Sequence, residues 1–112
     1  MDCIFCKIAA KEIPSDILYE DDELISFRDV NPQAPVHYLV LPKKHIEMLE
    51  KMEADDFQLI GKMAKVATDL ARSEGIEQGF RIAVNCGEPG GQTVWHVHMH
   101  ALGGRQLNGF LG

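Results

Sequence analysis

The sequence has no surplus of positive charge, no long apolar run and no even set of cysteines, and each absence argues against a class of protein. Its 11 lysines and arginines are outnumbered by 17 acidic residues, and the net charge of −6 argues against a protein that grips nucleic-acid phosphates. No apolar run approaches the ~20 residues that cross a bilayer, and the N-terminus lacks a signal-peptide pattern. Three cysteines do not make a disulfide framework. We therefore expect a cytoplasmic protein that binds neither nucleic acid nor membrane.

The chain has the length and composition of a single soluble domain. With 112 residues it is long enough for one hydrophobic core but not for two. Hydrophobic residues make up 46% and charged residues 25%, the proportions of ordinary globular proteins. No internal repeat, linker or low-complexity segment divides it. We predict one domain over residues 1–112.

Hydrophobic patterning predicts five strands and one long helix. The strands are predicted at 17–20, 23–29, 37–41, 79–86 and 94–102, with helical turns at 3–13 and 46–49. The long helix is predicted over 54–73, and its apolar stripe is Phe57, Ile60, Met63, Ala64, Ala67, Leu70 and Ala71. The alanines in this stripe allow close approach of a neighbour, including a second copy of the helix.

The last predicted strand carries three histidines at alternate positions. His96, His98 and His100 fall on one face, and Trp95, Val97, Met99 and Ala101 fall on the other. Neighbouring imidazoles then stand roughly 6.6 Å apart along the strand. Each must find a hydrogen-bond partner or stay wet, so a row of three favours function over packing. Two kinds of function fit the row, a metal site or nucleophilic and acid–base chemistry.

Two shorter motifs accompany the histidines. The loop Gly87-Glu88-Pro89-Gly90-Gly91 directly precedes them, and its backbone N–H groups are suited to cradling a phosphate, although it lacks the Gly-Lys-Ser/Thr ending of a P-loop. Cys3 and Cys6 have the two-residue gap that lets two thiolates reach one zinc ion. Alone this pair is half a site, and two reduced thiols near a core are the alternative.

The segment His96-Val97-His98-Met99-His100-Ala101-Leu102 resembles the signature of the histidine triad superfamily. Further segments along essentially the whole chain are similar to its nucleotide-binding (Hint) branch: Ile4-Phe5, Glu12-Ile13-Pro14, Phe27-Arg28-Asp29, Pro32-Gln33-Ala34-Pro35, His37-Tyr38-Leu39-Val40, Pro42-Lys43-Lys44-His45-Ile46, Val84-Asn85, Gly90-Gly91-Gln92 and Leu102-Gly103-Gly104-Arg105-Gln106.

This resemblance implies an α+β fold with an antiparallel sheet of about five strands, one long helix and one short helix. It implies a homodimer in which the sheet continues from one protomer to its partner. The implied activity is hydrolysis of purine nucleoside 5′-phosphoramidates, of the adenosine 5′-monophosphoramidate type, through a nucleotide held covalently on histidine. A purine nucleoside monophosphate or phosphoramidate is the implied ligand, and no cofactor is required for that reaction.

Matching positions imply a role for each site residue. His98 would be the nucleophile, His100 and Asn85 would hold the phosphate region, His96 would support the site, and His37 would orient the nucleophile from behind. Thr93 would contribute its hydroxyl. The implied phosphate contacts are Gly91, Gln92, Thr93 and Val94. The implied base and ribose pocket is Ile4, Phe5, Phe27, Asp29, Val30 and Leu39, with Asp29 accepting from the ribose hydroxyls.

The resemblance also gives the cysteine pair its missing partners. Some superfamily members bind structural zinc through such a pair, a histidine after the third strand and the first histidine of the triad. Cys3, Cys6, His45 and His96 match these positions. Four protein ligands with no open position imply a structural rather than a catalytic zinc.

The chain departs from the Hint pattern at two places, and other functions remain open. Thr93 stands where serine is frequent, which keeps the hydroxyl, and the C-terminal segment 107–112 lacks the tryptophan of animal members, so leaving-group preference is open. The alternatives are a nucleotide-binding regulatory module with little turnover, a dinucleoside polyphosphate hydrolase, and a metalloenzyme with His96, His98 and His100 as ligands.

Overall fold

The computed structural model describes residues 2–112, and it contains two helices and five strands. Helix α1 (Ile4–Ala9) precedes strands β1 (Ile17–Glu20), β2 (Leu24–Arg28) and β3 (Val36–Pro42). Two 3₁₀ turns (Leu49–Lys51 and Ala54–Phe57) lead into helix α2 (Gln58–Ser73), and strands β4 (Phe80–Val84) and β5 (Met99–Gly103) follow. No helix within residues 2–112 has the length and apolarity needed to cross a membrane.

The five strands form one antiparallel sheet in the order β1-β2-β3-β5-β4. Strand β3 is central and almost wholly buried, since each of its neighbours pairs with it over five residues. Leu39 lies opposite His100 in the register of β3 with β5. The predicted α+β fold, with five antiparallel strands, one short helix and one long helix, is confirmed.

Each face of the sheet carries its own hydrophobic cluster, because side chains alternate along a strand. Tyr38 and Val40 of β3 point to the face covered by α2. Leu39 and Leu41 point to the opposite face, where α1 packs through Phe5 and Ile8. Helix α2 therefore stabilises one side of the sheet and leaves the other side to α1 and a cavity.

Helix α2 differs from its prediction at its start and along its stripe. Residues 54–57 form a 3₁₀ turn, in which the Asp56 carboxylate accepts a hydrogen bond from the Glu53 N–H at 3.0 Å. The buried positions include Leu59 and Val66, which the predicted stripe lacks, whereas Phe57 is 50% exposed. The stripe is rotated because the sheet, rather than the helix alone, decides which residues are covered.

The histidine segment is only partly a strand. The predicted strand over 94–102 begins at Met99, because the chain before it bends away from β3. There the Val97 N–H donates to the Ile46 carbonyl at 2.7 Å, outside the ladder. Val97, Met99 and Ala101 still point into the cluster under α2, as the alternation predicts. Trp95 departs from the prediction, since it is 41% exposed.

Candidate active site

A cavity of about 400 Å³ opens on the face of the sheet that α1 covers. Residues predicted for the base, ribose and phosphate line it, and so do two triad histidines: Ile4, Phe5, Phe27, Asp29, Val30, Leu39, Thr93, Val94, His98 and His100. His37 also lines it. Apolar side chains form one end and imidazoles with a carboxylate form the other. The cavity therefore suits a ligand with a flat apolar part and a charged part.

His98 is held in one tautomer by the backbone. Its Nδ1 lies 2.7 Å from the carbonyl oxygen of His96, and because a carbonyl only accepts, Nδ1 carries the proton. The edge of Phe5 packs against the ring at a centroid distance of 5.0 Å. Burial lowers the pKa of His98 below its ordinary value, which keeps the ring neutral. Nε2 is left with a free lone pair at the cavity, which is what a nucleophile requires.

His100 is fixed by a chain of donors that starts at the backbone. The Gln33 N–H donates to His37 Nδ1 at 3.0 Å, so the proton of a neutral His37 is on Nε2. That Nε2 lies 3.0 Å from His100 Nδ1 and donates to it. Burial lowers the pKa of His37, and burial lowers the pKa of His100 to about 4. The remaining N–H of His100, at Nε2, is therefore available to an anion in the cavity.

His37 contacts a different triad histidine from the one that the resemblance implied. His37 was expected to orient the nucleophile, but the hydrogen bond that fixes His98 is the one its Nδ1–H donates to the His96 carbonyl. His37 instead contacts His100, with ring centroids 5.2 Å apart. The reason is the register, which places Leu39 opposite His100 and brings His37 alongside the same strand end.

Asp29 joins this group at the ribose end of the cavity. One carboxylate oxygen accepts from the Asn31 N–H at 2.8 Å, and the other lies 3.4 Å from His37 Nε2. Since the His37 pKa is lowered, this contact joins a neutral ring and a carboxylate and is not an ion pair. The Asp29 carboxyl group therefore lines the cavity with acceptor capacity for ligand hydroxyls.

Only part of the loop before the triad lines the cavity. Thr93 is exposed at the cavity, and Val94 lines it too. Gln92 is buried, and its amide is occupied with the Gly87 N–H and with the carbonyls of Glu47 and Val94. Gly91, Gln92 and Asn85 are not among the residues that line the cavity, and their implied ligand contacts stay predictions. Asn85 Nδ2 points instead to the Gly91 carbonyl at 3.5 Å. Gln92 and Asn85 thus brace the loop that presents Thr93.

A separate cluster lies at the N-terminal end of α1 and consists of Cys3, Cys6, His45 and His96. Their ligand atoms all lie within 4.8 Å of one another. Sγ of Cys3 and of Cys6 lie 3.4 and 3.6 Å from His96 Nδ1, and Cys6 Sγ lies 3.4 Å from His45 Nδ1. Zinc with ordinary bond lengths in a tetrahedron holds sulfur and nitrogen about 3.5–3.6 Å apart. The four side chains therefore fit the size and the ligand preference of a zinc ion.

The protonation of His96 fits the same role. Its Nε2 lies 2.7 Å from the Pro42 carbonyl and must donate to it, which leaves the Nδ1 lone pair toward the two sulfurs. Burial lowers the pKa of His96 to about 4, so the ring is neutral. A backbone acceptor on the far nitrogen is the usual support for a metal-binding imidazole.

A second group of close ligand atoms consists of Asp29, His37 and His100. In this group the His37 nitrogen that would face a metal, Nε2, carries the ring proton. A metal at His37 Nε2 requires the proton on Nδ1, and Nδ1 already accepts from the Gln33 N–H. This group is therefore a hydrogen-bond chain rather than a metal site. The triad alternative is disfavoured on a different ground: the free nitrogen of His96 faces the two cysteine sulfurs whereas that of His98 faces the cavity, so within residues 2–112 the three rings do not bring their ligand atoms together.

Sequence reasoning missed several residues of the cavity wall: Ile8, Ile13, Pro14, Ser15, Arg28, Asn31 and Gln33. Most belong to the loops before β1 and β3. The segments Glu12-Ile13-Pro14 and Pro32-Gln33 were noted for their similarity to the Hint branch, but no site role was predicted for them. Their position at the cavity depends on the fold.

Comparison with known proteins gives consistent matches over nearly the full length. Residues 2–111 match the family described as "Scavenger mRNA decapping enzyme C-term binding". Protein HitA of Neisseria gonorrhoeae is 46% identical over 101 residues, covering 90% of this chain and 94% of that protein. A histidine triad protein from Clostridium difficile is 46% identical, with a TM-score of 0.95 and coverage of 99% and 97% of the two chains. A HIT family hydrolase from Legionella pneumophila is 44% identical, with a TM-score of 0.93 and coverage of 96% and 97%.

Proposed function

This chain belongs to the histidine triad superfamily, and we propose that it is a nucleotide hydrolase of the Hint branch that cleaves purine nucleoside 5′-phosphoramidates through a nucleotide held covalently on His98. The description of the Legionella relative as a hydrolase supports the reaction class. The observation that carries the proposal is the tautomer of His98, because the His96 carbonyl leaves Nε2 unprotonated at the cavity.

In the first step the Nε2 lone pair of His98 attacks phosphorus and the P–N bond to the amine breaks. The amine leaves with the electron pair of that bond and takes a proton from solvent. His98 keeps its Nδ1 proton, so the adduct is an imidazolium whose positive charge faces the His96 carbonyl dipole. The Nε2–H of His100 donates to a non-bridging phosphoryl oxygen, and the Thr93 hydroxyl supplies a second donor.

In the second step water attacks phosphorus and the P–Nε2 bond breaks. The electron pair of that bond returns to His98, which is neutral again, and the water releases a proton that offsets the one taken by the amine. The products are a nucleoside monophosphate and the free amine. Imidazole suits both steps because it is a good nucleophile when neutral and a good leaving group when protonated.

Nucleotide recognition uses the two ends of the same cavity. The apolar end, with Ile4, Phe27 and Leu39, holds the flat base, and the Asp29 carboxylate accepts from the ribose hydroxyls. Val30 is 95% exposed at the rim, where a bound nucleoside would cover it. Phe5 belongs to both the base wall and the packing around His98, with Phe5 and Phe27 ring centroids 5.5 Å apart.

We assign Cys3, Cys6, His45 and His96 to a structural zinc ion. Zinc would supply a cross-link between α1, the turn after β3 and the histidine segment, and its four protein ligands leave no position for substrate. No step of the reaction passes through it.

Steady-state rates on adenosine 5′-monophosphoramidate beside diadenosine polyphosphates test the proposal. We expect the phosphoramidate to give the higher kcat/KM. Preference for the polyphosphates would favour a dinucleoside polyphosphate hydrolase, and nucleotide binding without turnover of either substrate would favour a regulatory module.

We also propose that the protein is a homodimer whose sheet continues through β4. Within residues 2–112, β4 pairs only with β5, so its outer edge is open, and Ile82 on it is 40% exposed. Phe57, at the start of α2, is also half exposed. The opposite edge, β1, is short, and its Glu20 is paired with Lys11 and Lys43, which protects that edge from pairing.

Sedimentation at micromolar concentration should give a species of twice the 12.5 kDa chain mass. Ile82→Lys should shift it toward the monomer, because a buried ammonium at the two-fold interface is unpaired. Tyr19→Lys, on the other edge, is the matched control and should leave the dimer intact. A single 12.5 kDa species for the unsubstituted chain would contradict the proposal.

A further inference from the structure

Nearly every cationic side chain of this protein lies beside a carboxylate, and the two exceptions lie together. Nine of the 11 lysines and arginines are 3.8 Å or less from a carboxylate oxygen. Within residues 2–112 only Arg81 and Arg105 lack such a partner, although the chain has 17 acidic residues to offer. Their isolation from carboxylates therefore calls for a separate explanation.

Arg81 and Arg105 line the same cavity, which has a volume of about 240 Å³. No aspartate or glutamate of the described residues lines it, and Glu74, which precedes this wall in the chain, already binds Arg28 through both carboxylate oxygens at 2.6 and 3.0 Å. The other lining residues are Gly79, Phe80, Gln106 and Leu107. The walls of this cavity therefore carry two positive charges and no negative one.

The alternation of side chains along β4 places Arg81 on the sheet face that carries the nucleotide cavity. Phe80 and Val84 pack against the cluster under α2, so Arg81 points to the opposite face. In the register with β5 it lies opposite Leu102, two residues beyond His100. Because Arg81 projects from a face of the sheet, pairing at the outer edge of β4 does not use its guanidinium.

A glycine turn after β5 brings Arg105 to the same place. Gly104 has a φ of 95°, which glycine adopts without strain, and a Cβ there would lie 3.0 Å from the Cβ of Pro35. Past this turn the Arg105 guanidinium donates to the Gln33 carbonyl at 3.1 Å. The segment Leu102–Gln106, which was noted only for its resemblance, thus has the physical task of presenting a cation.

Most hydrogen-bond donors of the two guanidinium groups are left for a ligand. A guanidinium has five N–H groups. Arg81 donates once, to the carbonyl of Asn108, and Arg105 donates twice, to the carbonyls of Gln106 and Gln33. These acceptors are neutral, so they hold the side chains in place without balancing their charge.

We propose that this cavity is an anion site, separate from the nucleotide cavity, that takes the dianionic phosphate group of inorganic phosphate or of a small phosphomonoester. Two guanidinium charges balance a dianion, whereas a carboxylate would balance only one of them. The planar forks of N–H donors also match pairs of phosphoryl oxygens. The cavity shares no lining residue with the nucleotide cavity, and its smaller volume, 240 against 400 Å³, suits a phosphate with a short organic part rather than a whole nucleotide.

Nuclear magnetic resonance of the arginine Nε–H groups tests the site residue by residue. The chain has four arginines, and Arg28 and Arg72, which are bound to carboxylates, serve as internal references. Inorganic phosphate should shift the signals of Arg81 and Arg105 with one common Kd and leave the references unchanged. Chloride at the same ionic strength should shift none of the four.

A His100→Ala protein separates this site from phosphate bound in the nucleotide cavity. The variant removes the donor that His100 offers to a phosphoryl group there, so the shifts of Arg81 and Arg105 should persist with an unchanged Kd. Loss of these shifts in His100→Ala would mean that they report on phosphate in the nucleotide cavity, which would overturn the proposal. The measurement involves no turnover, so a failure of the proposed hydrolase activity would leave its result intact.

Substitutions should separate a built site from general attraction to positive charge. Arg81→Gln should weaken phosphate binding roughly ten- to a hundredfold, the scale of hydrogen bonds to a charged group, as followed by the Arg105 signal. Arg81→Lys keeps the charge but loses the planar fork, so its Kd should be intermediate. Arg72→Gln is the matched control, because it removes the same charge from an exposed arginine outside the cavity. An equal loss of affinity in Arg72→Gln and Arg81→Gln would refute the site.

Three further anions identify the chemistry of the ligand. Tighter binding of glycerol 3-phosphate than of inorganic phosphate would support a phosphomonoester, and the reverse order would support free phosphate. Sulfate, also a dianion of tetrahedral shape, should shift the same two signals. Acetate that binds as tightly as inorganic phosphate, or an unsubstituted protein in which phosphate shifts neither Arg81 nor Arg105, would overturn the proposal.

Discussion

Replacing His98 with alanine should lower kcat on the order of 10⁴- to 10⁶-fold, the scale on which losing a member of a nucleophilic unit acts. The same change should leave the affinity for a purine nucleoside monophosphate within a few-fold, because the base and ribose walls lie on α1, β2 and β3. Rapid quenching of the unsubstituted protein with labelled substrate should trap an acid-labile, base-stable nucleotide on histidine, and the variant should trap none.

Alanine variants of the other residues around phosphorus should lose less activity than the His98 variant, each in proportion to the contact it removes. His100→Ala or Thr93→Ala removes one donor to the developing charge, which costs roughly 10²–10³-fold in rate. His37→Ala leaves His100 without the donor at its Nδ1, so it should slow the reaction by less than the loss of His98 does. The smaller losses follow because the nucleophile and its backbone acceptor remain.

Free imidazole distinguishes a missing nucleophile from a damaged fold. His98→Gly leaves a ring-sized space beside Phe5, and added imidazole should restore measurable turnover by attacking phosphorus from that space. A His98→Ala protein that turns over within tenfold of the unsubstituted chain, with no trapped adduct, would rule out the covalent route. Nucleotide binding without catalysis would then be the better description.

Periodicity predicted those features of the site that depend on neighbours in sequence. Alternation along 95–101 correctly placed Val97, Met99 and Ala101 in the core beneath the histidines. The two-residue gap between Cys3 and Cys6 correctly predicted that their two sulfur atoms lie close together. These are local consequences of strand and turn geometry, so one sequence suffices to see them.

Features that depend on distant partners were not predictable in this way. The strand begins at Met99 because the Ile46 and Pro42 carbonyls draw the preceding residues out of the ladder. Gln92 turns inward because a carbonyl 45 residues away in the chain accepts its amide proton. His37 serves His100 because of the register of two strands. Each is a tertiary contact for which the local sequence carries no periodic signal.

The double substitution Cys3→Ser/Cys6→Ser should remove bound zinc and destabilise the protein. Binding to the folded state alone adds about 4 kcal/mol of stability when free metal exceeds its Kd a thousandfold. For a domain of this size, losing that amount should lower the Tm by roughly 10–20 °C. Metal analysis of protein purified without a histidine tag should give close to one zinc per chain for the unsubstituted protein and none for the variant.

The proposed zinc cross-link should also affect turnover, because its ligands hold the segments that form two walls of the nucleotide cavity. Cys3 and Cys6 fix α1, which carries Phe5, and His96 is the residue whose carbonyl orients His98. Loss of zinc should therefore lower turnover modestly, yet below the Tm of the metal-free form the covalent adduct should still be trapped, since no step uses the metal. Cys86→Ser is the matched control, because Cys86 is outside the cluster and its substitution should change neither zinc content nor Tm. An unsubstituted protein that contains no zinc and melts at the same temperature with or without a chelator would show that Cys3 and Cys6 are only packed thiols.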